Sequence, residues 1–181
     1  IYYNVGQGGL GLEKTFAQSL MAVYGSLIFM TSILGGWIAD RILGTRRSMV
    51  YGALLIIIGH ICLSLPFGLS GLLASMVFII VGSGLMKPNI SNIVGRLYPK
   101  GDDRVDSGFV IFYMSVNMGA FLSPLVLDHF RNTGNFHGGF LIAAIGMALS
   151  LLFYLLFHKK NLGDIGTTAP VSYTHLTLPT S

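Results

Sequence analysis

The chain has 181 residues, of which 52% are hydrophobic and only 10% are charged, and its formal net charge is +4. Soluble domains carry about 25% charged residues, so this composition excludes an ordinary water-soluble globule and favours a membrane protein. The excess of Lys and Arg is typical of cytoplasmic loops of membrane proteins and gives no reason to expect a nucleic-acid partner. The single cysteine excludes a disulfide framework.

Five apolar segments are long enough for membrane-spanning helices, which need about 20 residues each. They are residues 15–39, 49–65, 72–94, 107–127 and 139–157. The second and third would form one continuous apolar run, but turn-forming residues at 66–71 predict a break between them. Polar loops are predicted at 95–106 and 128–138. The sequence therefore predicts an all-α, polytopic membrane fold.

The two ends of the chain differ from these segments. Residues 1–16 are interpreted as the end of an earlier span and an external loop, which leaves residues 17–158 for five complete spans. Residues 159–170 would begin a cytoplasmic linker. The tail at 171–181, VSYTHLTLPTS, resembles a translated sequencing adapter, and we do not expect it to be native. Because the first residue is Ile1, we expect an internal piece of a longer protein.

Most of the cations occur in loops that an up-and-down helix bundle places on one side of the membrane. Eight of them share that side: Arg41, Arg46, Arg47, Arg96, Lys100, Arg104, Lys159 and Lys160. Cytoplasmic loops are enriched in Lys and Arg. We therefore expect a multi-pass protein of the cell membrane, with loops 40–48 and 96–106 in the cytoplasm.

Lys87 is the one charged residue inside the apolar segments. A Lys at mid-bilayer costs roughly 2.5–3.5 kcal/mol on insertion scales, so such a residue normally faces a polar cavity and has a partner. Pro88 removes a backbone donor and favours a kink or a freed carbonyl nearby. Further polar residues follow within about one turn: Asn89, Ser91 and Asn92. The pattern predicts a functional cation on a pathway through the membrane.

Three motifs accompany this lysine. The first complete span ends in GGWIADRILGTRR, GLMKPNIS surrounds Lys87, and FYMSVNMG contains Asn117. In this order and spacing they resemble the proton-dependent oligopeptide transporter family of the major facilitator superfamily, and the similarity covers nearly all of residues 1–165. The first motif matches the connection between the second and third spans at Gly36, Asp40, Arg41, Gly44, Arg46 and Arg47.

The resemblance implies a proton-coupled symporter of di- and tripeptides that works by alternating access, with this chain forming most of the N-terminal six-helix bundle. It assigns Lys87 to proton coupling and to the peptide carboxylate, and Asn117 to polar groups of the peptide. The first motif would gate the conformational change, with Asp40 bridging arginines of neighbouring helices. The implied partners are the peptide, protons, the lipid bilayer and a C-terminal bundle of the same protein. No cofactor or metal is implied beyond the proton as coupling ion.

The chain departs from the family pattern in several places. The acidic first-span motif would precede Ile1, so the expected carboxylate partner of Lys87 is missing, and so is the C-terminal bundle that would meet the peptide amine. Phe29 stands where some bacterial members carry a tyrosine, and segment 15–39 lacks the histidine of animal members. We therefore do not expect this chain alone to transport anything.

Other interpretations rest on single features. Relatives of the family carry nitrate and other small anions, which Lys87 would also suit. Lys87 and Ser91 are four residues apart, as in a Ser–Lys hydrolase dyad, but no oxyanion-hole donors are identifiable, and we expect no enzyme. His60 is better explained by a local hydrogen bond than by a proton relay. His129 and His137 lack a cluster at metal-ligand spacing.

Overall fold

Five long helices form the part of the chain that the computed structural model describes, residues 10–167 without the side chain of Arg131. Each is long and apolar enough to cross a membrane. The helices are α1 (Lys14–Ile38), α2 (Thr45–Ser64), α3 (Gly68–Arg96), α4 (Arg104–Asn132) and α5 (Phe136–Leu162). The five predicted spans and the all-α fold are confirmed. The predicted remnant of an earlier span and the tail at 171–181 lie outside the described residues.

The helices extend further than the apolar segments predicted. The loops predicted at 95–106 and 128–138 are wrong in extent, because α3 continues to Arg96, α4 runs from Arg104 to Asn132, and α5 begins at Phe136. Hydropathy marks only the part of a helix that lies in hydrocarbon. Backbone hydrogen bonding continues past that limit into polar residues, so the connecting turns are short.

The connection between α1 and α2 is also more helical than a loop. The chain continues from α1 through a π-helical turn, Ala39–Leu43, in which the backbone N–H of Gly44 donates to the carbonyl of Ala39 at 2.9 Å. Gly44 then has φ +78°, a conformation that residues with a Cβ rarely adopt. The reversal between α1 and α2 therefore depends on a single glycine.

Helices α2 and α3 pack antiparallel with their backbones in close contact. A Cβ built on Gly52 would lie 2.6 Å from the carbonyl oxygen of Gly82, and a Cβ on Gly59, further along α2, would lie 3.1 Å from that of Ser75. Small residues allow membrane helices to approach this closely. In a membrane, van der Waals packing rather than the exclusion of water holds helices together. This antiparallel packing brings the end of α3 beside the beginning of α2.

Helix α1 packs on another side of α3, again through glycines. A side chain on Gly35 would collide with the carbonyl of Gly84. That carbonyl has no helical donor because the residue four positions on is Pro88, which lacks an N–H. The freed carbonyl near Lys87 thus follows from the position of Pro88, and the helix continues through the proline. Thr31 Oγ1 also donates to the carbonyl of Ile80 at 3.1 Å.

Helix α4 is the least packed element. None of its described residues is buried, and it packs against α3 and α5 much less than α2 packs against α3. At one end Gly108 meets the ring of Tyr98, and at the other Phe130 lies against Gly139. Most of the 29-residue apolar helix is uncovered.

The close approach of α2 and α3 predicts that Gly52→Ala destabilises the protein. The added methyl would meet the backbone of Gly82, which cannot rotate away, so we expect a loss of about 1–3 kcal/mol, as for other overpacked sites. The measurement is thermal unfolding of the purified protein in detergent. Gly146→Ala is the matched control, because nothing described lies within 4 Å of its Cβ position. Equal melting temperatures for the two variants would contradict the packing described above.

Candidate functional site

Lys87 projects from α3 onto an exposed face. Its side chain has no hydrogen bond or ion pair with any residue between 10 and 167. Asn89, two residues on, points the opposite way and is 1% exposed; its Nδ2 donates to the carbonyl of Leu85 at 2.6 Å. Asn92 accepts from Nε of Arg96 at 2.9 Å. The polar residues that the sequence grouped around Lys87 therefore point in different directions. The Lys87 ammonium has no hydrogen-bond or ion-pair partner in the described part of the chain.

Asn117 and Phe29 are uncovered as well. Phe29 lies in α1 and is 77% exposed. Asn117 lies in α4, and its side-chain amide has no hydrogen-bond partner among the described residues. The three positions named from the family pattern thus project from α1, α3 and α4 onto uncovered surfaces. An uncompensated ammonium in an apolar helix is costly, so Lys87 is the position on these surfaces where a polar partner would contribute most.

Among the first-motif residues, Arg46 makes long-range contacts with the end of α5. It is 8% exposed, and its Nη1 donates to the carbonyl of Gly163 at 2.6 Å, while its Nε donates to the Tyr154 hydroxyl at 3.4 Å. Its backbone N–H donates to the carbonyl of Gly166 at 3.0 Å. Arg46 therefore joins the beginning of α2 to the end of α5, more than 100 residues away in the sequence.

The remaining first-motif residues surround the π-helical turn. Asp40 is half-buried and forms no ion pair within residues 10–167, and the guanidinium of Arg41 lies 5.8 Å from the ring centroid of Trp37. Arg47 is exposed. The interhelical bridge expected of Asp40 is thus not formed in this part of the structure. Three buried polar atoms near this turn have no hydrogen-bond partner in the described residues: Thr45 Oγ1, Ser48 Oγ and Arg46 Nη2.

The connection between α3 and α4 carries the one ion pair formed within the described residues. Arg104 Nη2 lies 2.7 Å from Asp102 Oδ2, and the backbone N–H of Arg104 donates to Asp102 Oδ1 at 2.9 Å. The guanidinium lowers the pKa of the Asp102 carboxyl below its ordinary value. Because the pair is exposed, it contributes little stability. It orients the first residue of α4.

One expectation from a single residue fails. His60 Nδ1 is buried without a hydrogen-bond partner among residues 10–167, so the local hydrogen bond expected for this side chain is wrong. No hydrogen bond joins Lys87 to Ser91 in the same part of the structure, so the geometry of an activated Ser–Lys nucleophile is absent. Sequence reasoning also missed Tyr154 and Gly163, which no pattern connects to Arg46.

Comparison with known proteins identifies the family of this chain. A sequence profile of the POT family matches residues 46–164, which is more than half of the chain. The chain belongs to the POT family. The predicted family and its fold class are confirmed, and the match includes the segment around Lys87 and the segment around Asn117.

Individual transporters are also similar to this chain. The chain is 48% identical over 170 residues to the uncharacterized transporter YclF of Bacillus subtilis, covering 94% of this chain and 35% of that protein. It is 46% identical over 158 residues to the di-/tripeptide transporter of Lactococcus lactis subsp. lactis, covering 87% and 32%. A crystal structure of a POT family transporter in complex with 5-aminolevulinic acid matches with a TM-score of 0.93 and 65% identity, covering 96% and 36%. The chain spans about a third of the length of these relatives.

The contacts of Arg46 predict that Arg46→Ala loosens the segment after α5. Loss of a hydrogen bond from a charged donor is worth about 1.5–3 kcal/mol, so amide hydrogen exchange at residues 163–167 should become roughly tenfold faster or more. Hydrogen exchange with mass spectrometry of the purified protein measures this directly. Arg47→Ala is the control, because it removes an adjacent but exposed arginine. The same acceleration in both variants would show that Arg46 has no special role in holding this segment.

Proposed function

We propose that this chain forms most of the N-terminal bundle of a proton-coupled symporter of di- and tripeptides in the cell membrane. The observation that carries the proposal is Lys87, an ammonium without a described partner on the exposed face of a 29-residue apolar helix. Membership of the POT family and 46% identity to a protein named as a di-/tripeptide transporter support it.

Lys87 has the chemistry that a zwitterionic peptide requires. An ammonium provides three donors to a carboxylate, and a charge-assisted bond of this kind is about twice as strong as a neutral one. In the absence of peptide, a carboxylate elsewhere in the full-length protein would neutralise it. Protonation of that carboxylate would release Lys87 to the substrate, which couples proton entry to peptide binding. The proton is the only coupling ion that this scheme needs.

Asn117 complements this role. Its amide offers both a donor and an acceptor, as the peptide bond of a substrate does, and it lies on α4, none of whose described residues is buried. We assign Asn117 to the polar groups of the peptide backbone. Transport of this kind breaks no covalent bond, so the proposal includes no catalytic residue.

Gating is assigned to the connection between α1 and α2. Peptide and proton binding would shift the population between outward- and inward-facing states. Formation and release of an Asp40 bridge to arginines of neighbouring helices would favour one of them. The other gating residues are Gly36, Arg41, Gly44, Arg46 and Arg47. A membrane potential adds roughly 2.3 kcal/mol per charge per 100 mV to the driving force.

The orientation is supported by how the ends of the helices meet. Arg46 contacts Gly163, and antiparallel packing brings the end of α3 to the same side. Loops 40–48 and 96–106 and the end of α5 therefore share one end of the bundle, and together they hold eight cations. The loop-charge rule assigns this end to the cytoplasm.

The proposal predicts that Lys87→Ala abolishes gradient-driven uptake of a dipeptide by the full-length transporter. Without the ammonium, neither the peptide carboxylate nor the proton-binding carboxylate has its counter-charge. Uptake of a labelled dipeptide into proteoliposomes, with and without a proton gradient, measures the effect. Lys100→Ala, in a loop, is the control and should transport normally. Concentrative uptake by Lys87→Ala at the wild-type rate would remove Lys87 from the mechanism.

A second prediction concerns Asn117→Ala. Loss of one or two neutral hydrogen bonds, each worth about 0.5–1.5 kcal/mol, should raise the KM for a dipeptide roughly threefold to tenfold without lowering the melting temperature. Asn132→Ala, on the same helix, is the control. An unchanged KM would mean that Asn117 lies outside the binding site.

Competition for uptake tests the alternative substrate class. A small anion such as nitrate would also satisfy Lys87 and could accept from the Asn117 amide N–H, but it has no donor for the amide oxygen. Unlabelled dipeptide should therefore suppress uptake of labelled dipeptide, while nitrate should not. Suppression by nitrate alone would favour the anion transporter.

A further inference from the structure

A second polar feature lies far from Lys87, where the beginning of α2 meets the end of α5. These two ends enclose an open cavity of about 540 Å³. Seven of the residues that line it carry a charge or an aromatic ring: Arg46, Arg47, Tyr51, Tyr154, His158, Lys159 and Asp164. Neither Lys87 nor Asn117 belongs to its lining, so the cavity is separate from the proposed peptide site.

The charge around this cavity is unbalanced. Arg46, Arg47 and Lys159 line it, against the single carboxylate of Asp164. None of the four forms an ion pair in the described part of the chain. Arg46 is 8% exposed, its guanidinium bonds only to a carbonyl and a hydroxyl, and its Nη2 has no partner there. A nearly buried cation without a counter-charge is costly, so an anion entering the cavity would relieve that cost.

The position of the cavity indicates which anion can reach it. The cavity lies at the ends of two membrane-spanning helices, with apolar Val50 and Leu155 beside Tyr51 and Tyr154 in the lining. Tyrosines and snorkelling lysines at such a level mark the interface between hydrocarbon and water. Phospholipid phosphates lie at the same depth, and basic pockets between helices are known to receive them.

We propose that this cavity binds an anionic phosphate group, supplied by the headgroup of an acidic phospholipid. Arg47 and Lys159 would contact the phosphate from the two helices, and Arg46 would provide the buried charge behind it. The apolar part of the lining would accept the beginning of the acyl chains. The bound lipid would join α2 to α5 in addition to the Arg46–Gly163 contact.

The test uses the full-length transporter in neutral detergent, titrated with phosphatidylglycerol and, separately, with phosphatidylcholine, with bound lipid counted by native mass spectrometry. Phosphatidylglycerol should bind more tightly. Lys159→Gln should weaken its binding roughly fivefold, the usual effect of one cation near a lipid surface. Lys160→Gln is the matched control, because Lys160 is adjacent and exposed but does not line the cavity. Both variants should retain dipeptide uptake in proteoliposomes.

Competition with inorganic phosphate distinguishes the source of the anion. If excess phosphate fails to displace phosphatidylglycerol, the lipid headgroup is supported as the ligand. If phosphate displaces it with the same dependence on Lys159, the anion site stands and a soluble phosphate is its ligand. Equal binding of the two lipids, or equal losses in Lys159→Gln and Lys160→Gln, would overturn the proposal. None of these outcomes depends on peptide uptake, so the lipid proposal can fail without affecting the transport proposal, and the reverse is also true.

Discussion

The contact of α3 with α1 on one side and with α2 on the other is the constraint on which the rest of the bundle depends. Both interfaces rely on glycines that bring one backbone against another, and Gly35 and Gly84 meet where Pro88 has already freed a carbonyl. In a membrane no hydrophobic force drives helices together, so this close packing replaces it. The same interfaces fix the rotation of α3. They bury Asn89 and leave Lys87 on the opposite, uncovered side.

Much of this architecture could be predicted from the sequence, because membrane spans are identified by length and hydropathy alone. Lys87 could also be singled out as a candidate functional residue, since a charge in an apolar span is rare. The helix ends could not, because polar residues continue a helix beyond the bilayer without any change of pattern. The grouping of Asn89 with Lys87 failed because residues two apart in sequence lie on opposite sides of a helix.

The contacts of Arg46 were beyond prediction for a different reason. The motif identifies the arginine, but its partner is the backbone carbonyl of Gly163. Because every residue has a backbone carbonyl, the residue type does not indicate which one is the partner. Where a long-range partner is a backbone atom, only the folded chain reveals it. The interhelical bridge expected of Asp40 is not formed within residues 10–167 and stays a prediction. The chain covers about a third of its relatives, and the uncovered faces of α3 and α4 carry the residues assigned to the substrate.

The meeting of Gly35 with Gly84 also limits how the protein can move. If α1 slid along α3 by one helical turn, about 5.4 Å, a residue with a side chain would replace Gly35 opposite the Gly84 backbone, where there is no room for a Cβ. The two helices are therefore interlocked and must rotate together as a single rigid body. In the transport mechanism proposed above, an opening beside Lys87 would therefore come from other elements that swing away from this pair, and α4, which has no buried residue among those described, is the least restrained of them.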